Sequence, residues 1–197
     1  SKFLNGFEGG YITTNNPDLA KKLKAARNFG IKNNKDLITL GINGKMISPH
    51  AAMTLACLDL LENQIEKNKA RFYKYKELLH KVKGIDLVEY NSKERRSFKN
   101  ILVKLNAHWP FSREATINIL QKENMVVRPY YFPPLHTKNP VYPTINGRLI
   151  NTELLMNNHM LLPCGEFVDL EDIKIIVEYL AYLENNSEAI NLALVKT

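Results

Sequence analysis

The chain has 197 residues, 27 Lys and Arg against 20 Asp and Glu, a formal net charge of +7, and 45% hydrophobic residues. This is the balance of a globular chain with a core, and it excludes a disordered one. Two cysteines, Cys57 and Cys164, are too few for a disulfide scaffold. No apolar run nears the ~20 residues of a spanning helix and no signal peptide is expected, so the expected location is the cytoplasm, with no membrane partner. Charge is uneven: residues 1–107 hold 20 basic and 10 acidic side chains, whereas residues 108–197 hold 7 and 10. A basic half suits nucleic acid, a phosphorylated small molecule or an acidic partner segment equally well.

Taken in order, Gly10-Tyr11-Ile12-Thr13-Thr14 predicts a short strand of β-branched and aromatic residues. Asn16-Pro17-Asp18 predicts a helix start, with Asn16 as cap and Pro17 in the first turn. Leu19, Leu23 and Ala26 share its apolar face, and Gly30 marks its stop. Residues 30–47 then read as a long connection punctuated by Gly41 and Gly44, a length that points to function or an interface.

Ser48-Pro49 predicts a second capped start. The apolar stripe from Met53 through Leu61, Phe72, Tyr75 and Leu79 to Val82 predicts one very long helix, or two with a bend. After Gly84 the pattern becomes strand (101–105), helix (112–123, capped by Ser112) and strand (125–131). A Pro/Tyr-rich loop follows over 132–147. A helix at 148–157, a strand at 160–162 and a final helix capped by Asp169 complete the chain. Strands alternating with helices predict a small α/β or α+β domain with an antiparallel sheet.

Several signatures are absent: there is no P-loop, no HExxH and no GxGxxG. Five scattered histidines, none paired at i, i+4, make a metal site unexpected. Phe72, Tyr75 and Trp109 read as packing residues, and Cys164 as a small buried one.

The segment Ser1-Lys2-Phe3-Leu4-Asn5-Gly6-Phe7-Glu8-Gly9-Gly10 is unusual for a surface. Read by itself, Lys2 is a solvated lysine. In context the segment resembles the Schiff-base lysine motif of the DegT/StrS nucleotide-sugar aminotransferases, pyridoxal-phosphate (PLP) enzymes of the aspartate-aminotransferase fold. Leu40-Gly41-Ile42-Asn43-Gly44-Lys45-Met46 before Ala51-Ala52 is similar to the family's Gly-x-Asn-x-(Arg/Lys)-Met segment. Val127-Arg128-Pro129-Tyr130-Tyr131-Phe132-Pro133-Pro134-Leu135-His136 resembles its substrate loop, and Leu161-Leu162-Pro163-Cys164-Gly165 its penultimate turn.

The resemblance implies the C-terminal part of such a fold. Residues 1–50 would end the large α/β domain, 51–83 would form the connecting helix or helices, and 84–197 a small α+β domain with a short antiparallel sheet. It also implies that the phosphate turn, the ring-stacking aromatic and the Asp at the pyridine nitrogen precede this stretch, so that these 197 residues alone would be inactive.

The implied roles are specific. Lys2 would carry PLP, because a primary amine is needed and only lysine supplies one, and would then move a proton at the substrate carbon. Gly9 and Gly10 would let backbone pass under the ring, or form an ordinary turn. Asn43 would reach the cofactor phosphate of a neighbouring subunit in a homodimer with shared sites, or cap a local turn. Tyr131 and His136 would frame a sugar or diphosphate in a stiff loop, or belong to a packed surface loop. The implied reaction moves an amino group from glutamate to a keto sugar on a nucleoside diphosphate, for glycan or surface-polysaccharide biosynthesis. Lys2 argues against the family's dehydratase branch, which has His there. Two alternatives stand beside it: a non-catalytic packing or dimerisation fragment, and a basic nucleic-acid-binding domain. The second lacks interleaved aromatic and basic residues and any binding motif, so no nucleic-acid partner is expected.

Overall fold

The computed structural model describes residues 2–33, 35–91, 93–137 and 148–194. The C-terminal part of the expected Pro/Tyr loop, 138–147, therefore lies outside the described residues. The chain divides into two units, Ser1–Gln64 and Ile65–Thr197.

In the first unit α1 (Pro17–Ala26) forms where its start signals stand. The Asn16 carboxamide oxygen accepts from the amides of Asp18 and Leu19, both at 3.0 Å. The segment after it has more order than a plain connection. Strands β1 (Ile31–Lys32) and β2 (Asp36–Leu37) pair antiparallel, with Ile31 opposite Leu37. The return limb is stitched to the end of α1: Phe29 N–H donates to Ile42, and Ile42 N–H to Ala26. Gly41 passes so close to Gly30 that a Cβ there would sit 2.0 Å from the Gly30 nitrogen, so only glycine fits.

The predicted long helix is two: α2 (Ser48–Asp59) and the first turn of α3 (Leu61–Leu79) meet at Leu60. Ser48 is not the cap. It already lies in the helix, and Ile47 occupies the cap position without a side-chain bond. The predicted strand at 10–14 also does not form. Tyr11 and Ile12 are exposed and pair with no strand among the described residues. β-propensity needs a neighbouring strand to act on.

The second unit is built on one antiparallel sheet of order β3-β4-β6-β5. Its members are β3 (Ile85–Leu87), β4 (Ile101–Leu105), β5 (Arg128–Pro129) and β6 (His159–Leu162). Register sets Ile101 opposite Leu162 and Val103 opposite Met160, which aligns their buried side chains on one face. Against them pack α3, α4 (Arg113–Lys122) and α6 (Leu170–Asn185) in a single cluster including Phe72, Tyr75, Leu120, Ile173 and Leu180. The α6 stripe of Ile173, Ile176, Val177, Leu180 and Leu183 keeps helical spacing. Asp169 caps it reciprocally with Asp172, as a capping box. Helices α5 (Ile150–Asn158) and α7 (Ser187–Leu194) complete the unit.

The strand expected over 125–131 shortens to Arg128–Pro129. Val127 turns fully into the core, and Pro129 has no N–H to extend the ladder. α3 also holds the turn before α6. Tyr75 Oη donates to the Pro163 carbonyl at 2.9 Å, and Arg71 Nε to that of Val168 at 2.6 Å. Burial, then the nearby Cys164 and Asp172, raise the Tyr75 pKa above the ordinary tyrosine range, so it stays a donor. Trp109 is buried as expected, with Nε1 donating to Thr116, whereas Cys164 is half-buried.

Candidate active site

Lys2 opens a loop, residues 2–10, that lies along α2. His50 Nδ1 is 3.0 Å from the Glu8 carbonyl oxygen, and the Phe7 ring stacks at a tilt 5.8 Å from the imidazole. Further along, the Cys57 thiol is 3.4 Å from the Asn5 carbonyl, and Thr54 Oγ1 donates to His50 at 2.9 Å. His50, Thr54 and Cys57 fall at i, i+4 and i+7, one face of the helix. Sequence reasoning missed this stripe. Its signal was legible as polar or thiol residues at helical spacing in an otherwise apolar helix.

The loop and α2 enclose an open cleft of about 480 Å³. Lys2 is the only charged side chain among the described residues lining it. Phe3, Leu4, Tyr11, Met46 and Leu61 supply apolar and aromatic wall, and Thr54 a hydroxyl. Gly9 has φ +129°, which non-glycine residues rarely adopt, so its presence is a backbone requirement. A Cβ on Gly10 would meet open space.

An amine on one wall, aromatic and aliphatic surface around it and a glycine margin suit a flat heteroaromatic aldehyde that lysine can hold covalently. PLP fits this donor set. Among the described residues no group of three or more His, Cys, Asp or Glu gathers, and no helix is long and apolar enough to cross a membrane.

Asn43 is exposed, and its backbone bridges to Asn28. It does not line the cleft, although Met46, three residues on, does. The other two expected site residues belong to the second unit. Tyr131 is exposed, at φ +48°, with its ring edge-on to Tyr130 at 4.8 Å. His136 Nε2 is buried without a hydrogen-bond partner among the described residues, 3.8 Å from Glu153 Oε1. Glu153 accepts from Arg148 Nη2 at 2.7 Å, which holds its carboxyl below the ordinary range.

The DegT/DnrJ/EryC1/StrS aminotransferase family matches residues 1–181. The dTDP-4-amino-4,6-dideoxy-D-glucose transaminase of Escherichia coli is 33% identical over 138 residues, covering 69% of this chain and 36% of that protein. The UDP-4-amino-4,6-dideoxy-N-acetyl-beta-L-altrosamine transaminase of Campylobacter jejuni is 26% identical over 188 residues, 91% of this chain and 49% of that protein. In structure the chain is similar to DesI, crystallised in the presence of its TDP-sugar product. The TM-score is 0.84 at 26% identity, over 98% of this chain and 49% of that one. The chain thus spans between about a third and half the length of these relatives.

Proposed function

Since the chain belongs to the DegT/DnrJ/EryC1/StrS aminotransferase family, we propose that the protein is a PLP-dependent aminotransferase acting on a nucleotide-linked keto sugar, with glutamate as amino donor. The observation that carries this reading is the cleft of the first unit, where Lys2 is the one cation among described lining residues. The relatives named as dTDP- and UDP-sugar transaminases support the substrate class.

PLP, when bound, supplies the electron sink for charge developing at the substrate carbon. Lys2 Nζ would hold the cofactor at its aldehyde carbon and, as a free amine, would move a proton at the substrate carbon. Leu4, Met46 and Leu61 supply apolar wall beside that amine. His50 and Cys57 hold the loop that presents it.

Tyr131 and His136 frame the sugar nucleotide, Tyr131 offering an aromatic face to sugar C–H groups and His136 Nε2 a buried nitrogen with no hydrogen-bond partner among the described residues. Asn43 serves the cofactor phosphate of a second subunit in a homodimer. The product feeds glycan or surface-polysaccharide synthesis in the cytoplasm. The 197 residues on their own do not transaminate, because no acidic side chain among the described residues lines the cleft to meet the cofactor's ring nitrogen.

Borohydride reduction of the PLP-loaded full-length enzyme, followed by peptide mapping, is expected to place a phosphopyridoxyl group on Lys2. Label on another lysine overturns the assignment. Lys2→Ala is expected to lose turnover with the fold retained. Mixing Lys2→Ala and Asn43→Ala subunits is expected to restore part of the activity, and dead hybrids with full PLP affinity in Asn43→Ala alone refute shared sites.

A further inference from the structure

Arg113 is the first residue of α4, in the turn where the helix dipole disfavours a cation. It is nonetheless only 2% exposed. Its Nη2 donates to Glu114, while Nε and Nη1 are buried without an acceptor among the described residues. Leaving guanidinium N–H groups unpaired away from water is unfavourable, and a methionine of similar length would avoid it. What the guanidinium offers in exchange is a flat cationic face. Its Cζ lies 4.8 Å from the Phe132 ring centroid, and such contacts strengthen where water is excluded.

Phe132 follows Tyr131 in the loop that runs on to His136. Tyr130 N–H donates to the His159 carbonyl at 3.1 Å, tying the loop's entrance to β6. His136, at its far end, stands 3.8 Å from Glu153. Between these ends Phe132 rests on Arg113. The buried side-chain polar atoms without partners among the described residues are Arg113 Nε and Nη1 and His136 Nε2. Unsatisfied groups thus concentrate on this loop and its support, as where burial serves function more than stability.

We propose that Arg113 is a positioning residue: its guanidinium is the platform under Phe132 that holds the 131–136 loop in the shape that receives the sugar nucleotide. This rests on the loop's assignment in the proposed function. Lysine would not replace it, because an ammonium is a point charge without a planar face.

The experiment uses the full-length enzyme with Arg113→Lys, Arg113→Met, Phe132→Leu and the Arg113→Met/Phe132→Leu double variant. Amide exchange over 130–136 and the affinities for dTDP-glucose and UDP-glucose as probes are measured. Each single variant is expected to speed exchange in 130–136 and leave the β4 and β6 amides unchanged. Affinity for the better probe should fall about tenfold. The double variant should be no worse than Arg113→Met alone, as for one shared contact.

Unchanged loop exchange, equal loosening of β4 and β6, or additive losses overturn the inference. So does a loosened loop that binds the probe normally, which leaves the loop's assignment standing. A wild-type enzyme that binds neither probe overturns that assignment and this inference with it. Should Arg113→Met fail to fold, half-exposed Phe132→Leu tests the same contact from the solvent side.

Discussion

Residues 2–64 and residues 65–194 hold their shapes by different means. In the first stretch Ala25 is the one buried apolar side chain among the described residues, and Leu37, Leu40, Ile42 and Leu55 face outward. Helix α2 is rich in apolar residues and buries none of them. What orders this unit is local: the Asn16 cap, the β1–β2 pair, the stitches from Phe29 and Ile42, and the contacts of His50 and Cys57 with the lysine loop. The second stretch instead has one continuous core drawn from three helices and a four-stranded sheet. Hydrogen bonds alone contribute little net stability, whereas burial contributes much. The candidate lysine therefore sits on a unit that needs cover for its apolar face, and the candidate substrate loop on a unit with its own core.

The sharpest way to break this contrast is truncation. Residues 65–197 are expected to unfold cooperatively, whereas 84–197, lacking Phe72, Tyr75 and Leu79, should lose roughly 5–8 kcal/mol of burial and fail to fold. Calorimetry of the two decides it, and a cooperative 84–197 would show the core to be independent of α3. Next in size, Tyr75→Ala should cost the second unit about 3–5 kcal/mol. Tyr75→Phe, which strands the Pro163 carbonyl, should cost about 1–2 kcal/mol, both read by denaturant midpoints.

Cap removal sharpens the comparison. Asp169→Ala is expected to lower the second unit's global stability by about 1 kcal/mol. Asn16→Ala should appear only as faster amide exchange in α1, because no buried core transmits the loss. The smallest effect concerns His159. Burial, opposed in part by its contact with the Leu155 carbonyl, depresses its pKa. The folded state then binds fewer protons than the unfolded chain, so stability is present above the ordinary histidine pKa and declines as pH falls below it. Denaturant midpoints at pH 7 and pH 5 should differ in that direction, and His159→Asn should reduce the difference.

Much of this was written locally. Asn16, Ser112 and Asp169 cap their helices because each cap bonds within a few residues of itself. The α6 stripe and the 101–105 strand likewise carry their periods in the sequence, and the lysine loop, the Asn43 segment and the Tyr/Pro loop were recognisable as ordered motifs of one family. Tertiary structure decided the rest. Residues 10–14 have strand composition but no partner, Ser48 has cap composition but lies inside the turn, and Val127 left the ladder for the core. The supports of the candidate site were decided the same way. His50 meets Glu8 across 42 residues of chain, and Arg113 lies under Phe132, nineteen positions on. A cap or a periodic stripe is a short-range interaction that the local sequence determines, whereas a contact between distant segments exists only once the packing has chosen which faces meet.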